Sequence, residues 1–175
     1  MSTPTHILAC IDAPDPDNFA MLVALARKFP EAELHVLLTG RPVRFNADQS
    51  HETWDYDLKA SRMAQQVSAA RIRAFLNRCD ILGPYIFDGG IAPRTLVPHR
   101  VHFADYWKFM DVDPLAALHT CELEPQEELI KLIELGPKDW RVVVGGPMTG
   151  LAQIIIRNPE VATRITEVHA MFATW

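Results

Sequence analysis

The fold of this chain is decided by the stretch Ile7-Leu8-Ala9-Cys10-Ile11-Asp12-Ala13-Pro14-Asp15-Pro16-Asp17-Asn18. Residues 7–11 have the continuous apolar character of a buried strand, and residues 19–26 have the composition of a helix. Three carboxylates and one carboxamide therefore crowd a single strand-to-helix turn. In an open α/β sheet such a turn lies at the carboxyl ends of the strands, where ligands bind.

Two interpretations of this acidic turn are open. Crowded like charges repel each other, so the cluster indicates a cation or a polyhydroxyl ligand that neutralises or satisfies it. Alternatively, Asp15 or Asp17 simply caps the helix, although a cap needs only one carboxylate. The number of carboxylates favours a ligand site.

Composition limits the classes of protein to which the chain can belong. Its 175 residues suffice for one α/β domain, residues 1–175, and 49% hydrophobic with 22% charged residues is typical of a globular protein. The net charge of −5 argues against a nucleic-acid binder. No apolar run reaches membrane-spanning length, and residues 1–6 lack the pattern of a signal peptide. We therefore expect neither a membrane nor a nucleic-acid partner.

The three cysteines, Cys10, Cys79 and Cys121, are odd in number and scattered. We expect all three to be reduced and the protein to be cytoplasmic.

Strand and helix patterns alternate along the chain. Strands are predicted at 6–11, 33–39, 84–87, 140–145 and 165–171, and helices at 17–29, about 55–79, 125–135 and 148–157. Residues 88–124 are predicted to be irregular. This alternation predicts a mainly parallel, doubly wound, Rossmann-like α/β sheet.

The last residues, 168–175, form an apolar run that is predicted to be a buried strand with nothing after it to cover its end. We expect either that a second half is missing or that another chain covers this edge, as a homo-oligomer or a complementing subunit.

A second strand-to-helix junction carries the sequence Val144-Gly145-Gly146-Pro147-Met148-Thr149-Gly150-Leu151-Ala152. Glycine lets the backbone approach a ligand closely, and Pro147 suits the first turn of a helix. The carbonyl or hydroxyl of Thr149 is then a candidate ligand for an ion. An ordinary strand–helix junction is the alternative interpretation of this segment.

Together with Leu38-Thr39-Gly40 and Arg157-Asn158-Pro159-Glu160, the two junctions resemble the nucleoside hydrolase family. The resemblance implies cleavage of the N-glycosidic bond of ribonucleosides, with a calcium ion on the N-terminal aspartate cluster. It corresponds only to the N-terminal portion of the family. The C-terminal half of the family supplies further ligands, including an aspartate and a histidine, so the resemblance implies that this polypeptide alone does not complete the family site.

Carried over to the acidic turn, the resemblance implies that Asp17 holds the ribose hydroxyls and that Asn18 is a calcium ligand. The leading aspartate of the family, a calcium ligand and the base that activates water, corresponds to Ala13 without a gap and to Asp12 with one inserted residue. Since Asn18 removes one negative charge, weaker calcium binding is expected in either case.

The resemblance also implies roles for four other residues. Arg41 stands where the family commonly has an asparagine that touches the sugar; it either favours an anionic substrate group or pairs with the aspartates. The segment around His102 resembles a mobile loop near the family site. Thr149 corresponds to a threonine whose carbonyl binds calcium, and Met171 to a residue that lines the nucleoside pocket. The strand histidines His35 and His169 are predicted to be structural.

Two functions remain open on the sequence. The first is a calcium-dependent hydrolase of N-glycosidic bonds in ribonucleosides or related N-ribosides, with Asp12 as base, favoured by Asp12, Asp17 and Thr149. The second is a catalytically inactive, nucleoside hydrolase-like binding or interaction protein, favoured by Asn18 and Arg41.

Overall fold

The computed structural model of the protein describes residues 5–13, 15–41, 43–45, 52–54, 57–92 and 123–171. The strands are β1 (His6–Ile11), β2 (Glu33–Gly40), β3 (Val43–Phe45), β4 (Glu52–Trp54), β5 (Tyr85–Ile91), β6 (Trp140–Val144) and β7 (Ile165–Ala170). The helices are α1 (Pro16–Lys28), α2 (Leu58–Arg78), α3 (Gln126–Leu135), α4 (Thr149–Arg157) and α5 (Pro159–Ala162).

Five strands form one sheet in the order β5-β2-β1-β6-β7, and each neighbouring pair is parallel. The short strands β3 and β4 pair antiparallel with each other in a separate ribbon. The predicted α/β fold with a parallel sheet is therefore confirmed. The central strand β1 is buried from Ile7 onwards, as its continuous apolar sequence requires.

Alternation along β1 divides the core between the two faces of the sheet. Ile7, Ala9 and Ile11 pack in a cluster with residues of α1 and α2. Leu8 and Cys10 pack in a second cluster with residues of α3, α4 and α5. Because successive strand residues point to opposite faces, helices cover both sides, which is the doubly wound arrangement.

The structure corrects the predicted boundaries at β5. The strand was predicted at 84–87 and extends to Ile91, so residues 88–91 are not irregular. The Asp-Gly-Gly sequence is typical of a loop, but here the N–H of Asp88 donates to the carbonyl of Glu124 and the N–H of Glu124 to Ile86, at 2.8 Å each. The extension itself pairs with β2, where Leu38 aligns with Asp88 and Gly40 with Ile91, and Glu124 adds an isolated bridge to Phe87.

Helix α2 begins later than the predicted position near residue 55. Asp57 caps it, since its Oδ1 accepts a hydrogen bond from the N–H of Lys59 at 2.8 Å. Of the helices that the structure describes, none combines the length and the apolar character that a membrane span requires. Cys10 and Cys79 carry free thiols, and burial raises the pKa of Cys10 to about 12; Cys121 lies outside the described residues.

Candidate active site

The acidic turn after β1 and the Gly-Gly turn after β6 meet at the carboxyl edge of the sheet. The N–H groups of Gly145 and Gly146 both donate to the carbonyl of Cys10, at 2.9 and 3.2 Å. The second turn therefore folds across the end of β1. The expectation that both turns share one edge is confirmed, and this edge is where an α/β sheet binds its ligands.

Glycine is required at both positions because side chains of the acidic turn fill the space. A Cβ on Gly145 would lie 2.1 Å from Oδ1 of Asn18. A Cβ on Gly146 would lie 2.5 Å from the backbone nitrogen of Asp12 and 2.8 Å from its Oδ1. The absence of side chains at Gly145 and Gly146 thus leaves the space that Asp12 and Asn18 occupy.

Asp12 and Asn18 form the buried centre of this edge. They are 6% and 1% exposed. The Nδ2 group of Asn18 donates to the backbone carbonyl and to Oδ1 of Asp12, at 3.0 Å each. Oδ1 of Asn18 is buried and accepts no hydrogen bond from any described residue. A buried acceptor without a donor costs free energy, so this atom is a candidate ligand for a cation or a hydroxyl group.

Arg41, which directly follows β2, pairs with the other oxygen of Asp12. Its Nε donates to Oδ2 of Asp12 at 2.8 Å, and its Nη2 donates to the same oxygen. Nη2 also lies 3.8 Å from a carboxylate oxygen of Asp15. Of the two roles predicted for Arg41, the structure forms the ion pair with the aspartates.

Asp15 has a perturbed acidity. Burial raises the pKa of its carboxyl from 3.8 to about 6, with further contributions from the charges of Asp17 and Asp12 and from a hydrogen bond with Asp17, while Arg41 acts in the opposite direction. A carboxyl that titrates near neutral pH in a cluster of carboxylates is typical of a functional site.

Capping does not account for the cluster. Asp15 occupies the N-cap position of α1, yet its side chain makes no capping hydrogen bond. The exposed Asp17 accepts a hydrogen bond from the N–H of Asn18 at 2.8 Å, which is a single local contact. The buried Asp12 lies outside the helix. At most one of the three carboxylates thus contributes to the helix end.

Other predicted site residues lie around this edge of the sheet. Asp17 lies in the first turn of α1 with its side chain in solvent, and Thr149 is the first residue of α4 at the same edge. Met171 follows β7; its N–H donates to the carbonyl of Val144 at 3.0 Å and its side chain is largely exposed. No hydrogen bond joins Thr149 to Asp12 or Asn18 in the described part of the chain. His102 lies outside the described residues.

The sequence left open whether Asp12 or Ala13 corresponds to the leading aspartate, and the two side chains lie in different surroundings. The carboxylate of Asp12 reaches both Asn18 and Arg41. Ala13 is buried and packs in the apolar cluster on the α1 side of the sheet. In this structure the carboxylate next to Asn18 is therefore that of Asp12. Asp12 and Asn18 thus place two oxygen-bearing side chains next to each other, and Asp15 lies near the same guanidinium.

Asp88, in the middle of β5 and in register with Leu38 of β2, is a polar residue of this edge that the sequence did not predict. Its Oδ1 accepts hydrogen bonds from Nε2 of Gln65 at 2.9 Å and from the N–H of Gly90 at 2.7 Å, and its Oδ2 lies 3.5 Å from Nη1 of Arg62. It lines a cleft of about 470 Å³ together with Gln126 and other polar side chains. The rule that identified Asp12, a carboxylate directly after a predicted strand, would also have identified Asp88.

Comparison with known proteins places this geometry in a structural context. No protein-family model and no curated protein matches the sequence. The fold is nucleoside hydrolase-like. A plant nucleoside hydrolase, the PpNRh1 enzyme, superposes with a TM-score of 0.58 at 17% identity, over 95% of this chain and 47% of that one.

The inosine-uridine preferring nucleoside hydrolase from Bacillus anthracis also superposes with a TM-score of 0.58, at 15% identity, over 98% of this chain and 51% of the other. This chain therefore spans about half the length of both structures. At such identities the similarity confirms the fold that the sequence resemblance implied.

Proposed function

We propose that this chain carries the N-terminal part of an N-glycosidic hydrolase site that acts on ribonucleosides or related N-ribosides. The observation that carries the proposal is the buried carboxylate of Asp12, bonded to Asn18 at the carboxyl edge of a nucleoside hydrolase-like sheet. Beside it, the unpaired Oδ1 of Asn18 offers a buried acceptor. A carboxylate and a free acceptor side by side suit a polar ligand that brings a cation or hydroxyl groups.

Two aspartates of the acidic turn have distinct proposed roles, and two residues outside it contact the substrate. Asp12 takes a proton from the attacking water. Asp17, which is exposed next to it in the first turn of α1, holds the ribose hydroxyls. Hydrogen bonds from such a carboxylate strengthen as the sugar flattens toward the oxocarbenium-like transition state, so they lower the barrier. Met171 borders the base, and His102 is a further proposed contact of the substrate.

Calcium is the proposed cofactor, held by Asp12, Asn18 and the carbonyl of Thr149. When bound, calcium lowers the pKa of the water that it holds. The donors fit a hard cation by type, since Asn18 Oδ1 is a buried oxygen without a donor. However, Arg41 already gives Asp12 a positive partner. Calcium must therefore share or displace the guanidinium, and we expect it to bind weakly.

A second function, ligand binding without catalysis, is favoured by this same ion pair. Nε and Nη2 of Arg41 donate to Oδ2 of Asp12 while Asn18 donates to Oδ1, so donors already engage both oxygens and a water must share Oδ1 with Asn18. A guanidinium at this place also provides charge for an anionic group on a riboside, such as a phosphate or carboxylate. In this case, the chain binds its ligand and leaves the bond intact.

Ribose release and nucleoside binding distinguish the two functions. Wild type, Asp12→Asn and Asp17→Asn are incubated with a panel of nucleosides in millimolar calcium or in chelator, and binding is measured by calorimetry. Asp80→Asn is the matched control, since Asp80 has a positive φ of 59° that asparagine also adopts and lies at the other edge, between α2 and β5.

Hydrolysis predicts slow, calcium-dependent release that is lost in Asp12→Asn and retained in Asp80→Asn. Binding without release, weakened in Asp17→Asn, supports the second function. If wild type neither releases ribose nor binds any nucleoside, both proposals are wrong.

A further inference from the structure

Three metal-ligating side chains converge at the opposite, amino edge of the sheet. His6 begins β1, while Glu33 and His35 begin β2, and His6 pairs with Glu33 in the parallel register. Glu33 and His35 are two residues apart in one strand, so both project to the same face of the sheet. None of the three takes part in the candidate active site.

The distances between their ligand atoms are those of a metal site. Nδ1 of His6 lies 3.3 Å from Nε2 of His35, and Oε2 of Glu33 lies 3.6 and 3.7 Å from these two nitrogens. A circle through three atoms with these separations has a radius of about 2.0 Å, which matches the zinc–nitrogen distance of about 2.0–2.1 Å. An ion at the centre therefore reaches all three ligands without any movement of the backbone.

One hydrogen bond accounts for part of the cluster. The two imidazole nitrogens face each other at 3.3 Å, so one ring donates and the other accepts. The carboxylate of Glu33 is beyond ordinary hydrogen-bond distance from both rings. His35 is 2% exposed, and its other nitrogen, Nδ1, has no partner among the described residues. Among the described residues, the polar contacts of the His35 ring are therefore those that Nε2 makes with His6 and Glu33.

The rings are held in place by packing. Trp140, which is fully buried, stacks on His6 with ring centroids 4.6 Å apart and planes at 16°, and its ring lies 5.0 Å from that of His35. Ligands fixed in this way lose little freedom when an ion binds.

We propose that His6, Glu33 and His35 form a zinc site. Two imidazoles and one carboxylate are a donor set that zinc accepts, and three protein ligands leave a fourth position for water or another donor. Glu33 is 68% exposed at the side chain and, with His35, borders a cleft of about 540 Å³, so an ion can enter from solvent. Bound zinc ties β1 to β2 at the edge opposite the candidate active site and stabilises the sheet.

Zinc binding to the protein without a histidine tag tests this site directly. Zinc chloride is titrated against a chromophoric chelator in competition with wild type, Glu33→Gln and His6→Gln. Cobalt(II) substitution adds a spectroscopic measurement, since a low-coordinate site with nitrogen ligands gives strong visible absorption. Glu33→Gln is the decisive variant because its exposed side chain is not needed for packing.

Two variants serve as controls. Glu31→Gln removes an exposed carboxylate two residues before Glu33, and His169→Gln removes an exposed histidine that has a glutamate partner, Glu167, at 3.2 Å. Neither belongs to the cluster, so both should bind zinc as wild type does.

The expected result is stoichiometric zinc binding by wild type and both controls. Glu33→Gln and His6→Gln should bind at least about tenfold more weakly, since even residues one step removed from a metal change its affinity by that factor. The cobalt absorption should disappear in both. Failure of folded wild type to bind zinc, or wild-type affinity in folded Glu33→Gln, overturns the proposal. This outcome is independent of any nucleoside assay.

Discussion

Arg41 donates from both Nε and Nη2 to a single oxygen, Oδ2, of Asp12. The other oxygen of the carboxylate accepts from Asn18 at 3.0 Å, so the buried Asp12 is engaged on both sides. The positive charge at the centre of the candidate site is therefore a guanidinium. This pairing determines how the site responds to cations, to pH and to substitution.

Replacing Arg41 by alanine should strengthen calcium binding. The guanidinium and a divalent ion compete for the same carboxylate, and removing a unit charge a few ångströms from the ion favours binding by at least about tenfold, or about 1.4 kcal/mol. Calorimetric titration of calcium into wild type and Arg41→Ala measures the difference. Arg62→Ala is the matched control, since Arg62 pairs with Asp88 at 3.5 Å on the same edge. Equal calcium affinity in Arg41→Ala and wild type would contradict the competition.

Replacing Asn18 by aspartate should make the fold depend on calcium. In the wild type, Nδ2 of Asn18 donates to the backbone oxygen and to Oδ1 of Asp12. A carboxylate at position 18 cannot donate to these two oxygens, and it places a second negative charge beside Asp12 in a buried site. In chelator, Tm should fall by roughly 3–10 °C. Calcium should restore most of the loss because the added charge improves the ligand set.

The measurement for Asn18→Asp is thermal unfolding in chelator and in calcium, with Asn158→Asp as a control. Asn158 also lies at a helix boundary, between α4 and α5, but away from the acidic turn. A calcium-induced rise in Tm no larger than that of wild type would argue against a cation at this place.

The pKa of Asp15 gives a stability difference that depends on pH. Because its pKa is raised from 3.8 to about 6 in the folded protein, the folded state binds the proton more tightly than the unfolded state. The resulting stabilisation is complete below pH 3.8 and is lost as pH rises through about 6. Asp15→Asn stays neutral, so its Tm relative to wild type should rise over this interval and then level off.

Thermal unfolding at a series of pH values measures this difference. Glu31→Gln, an exposed carboxylate in the turn before β2, should show no such dependence. A Tm difference between Asp15→Asn and wild type that is the same at pH 4 and pH 7 would show that the acidity of Asp15 is not perturbed.

Local patterns were sufficient to predict most of the fold. Apolar runs and the alternation of strand and helix patterns identified all five strands of the main sheet, although only β1 and β2 are buried along nearly their whole length and β7 is not buried. The carboxyl-edge position of Asp12 and Gly145 followed from the strand–helix order alone. The predicted end of β5 was wrong because its pairing with β2 continues across a register shift to Ile91, which the Asp-Gly-Gly sequence does not indicate.

Side-chain partnerships were harder to predict because they depend on register and packing. The sequence could not choose between Asp12 and Ala13, which are neighbours in the chain. In the structure, the side chain that lies beneath Gly146 is that of Asp12. His35 was predicted to be merely structural. Its proximity to His6 follows from the alignment of β1 with β2, which the sequence does not specify.

Strand β7 forms one edge of the main sheet, and we expect it to pair with another chain. Among the described residues, β7 pairs only with β6, and its Val168 is half exposed. β7 is therefore not the buried strand that was predicted, since all its residues are partly or fully exposed. An edge strand is a template for pairing with another chain, so we expect self-association or pairing with a complementing subunit. Lysine at this edge should oppose it, and Val168→Lys should shift the protein toward monomer in sedimentation equilibrium. Leu82→Lys, an exposed leucine before β5 at the opposite side of the sheet, should not. Wild type that remains monomeric at high micromolar concentration, and binds no partner at this edge, would contradict the expectation.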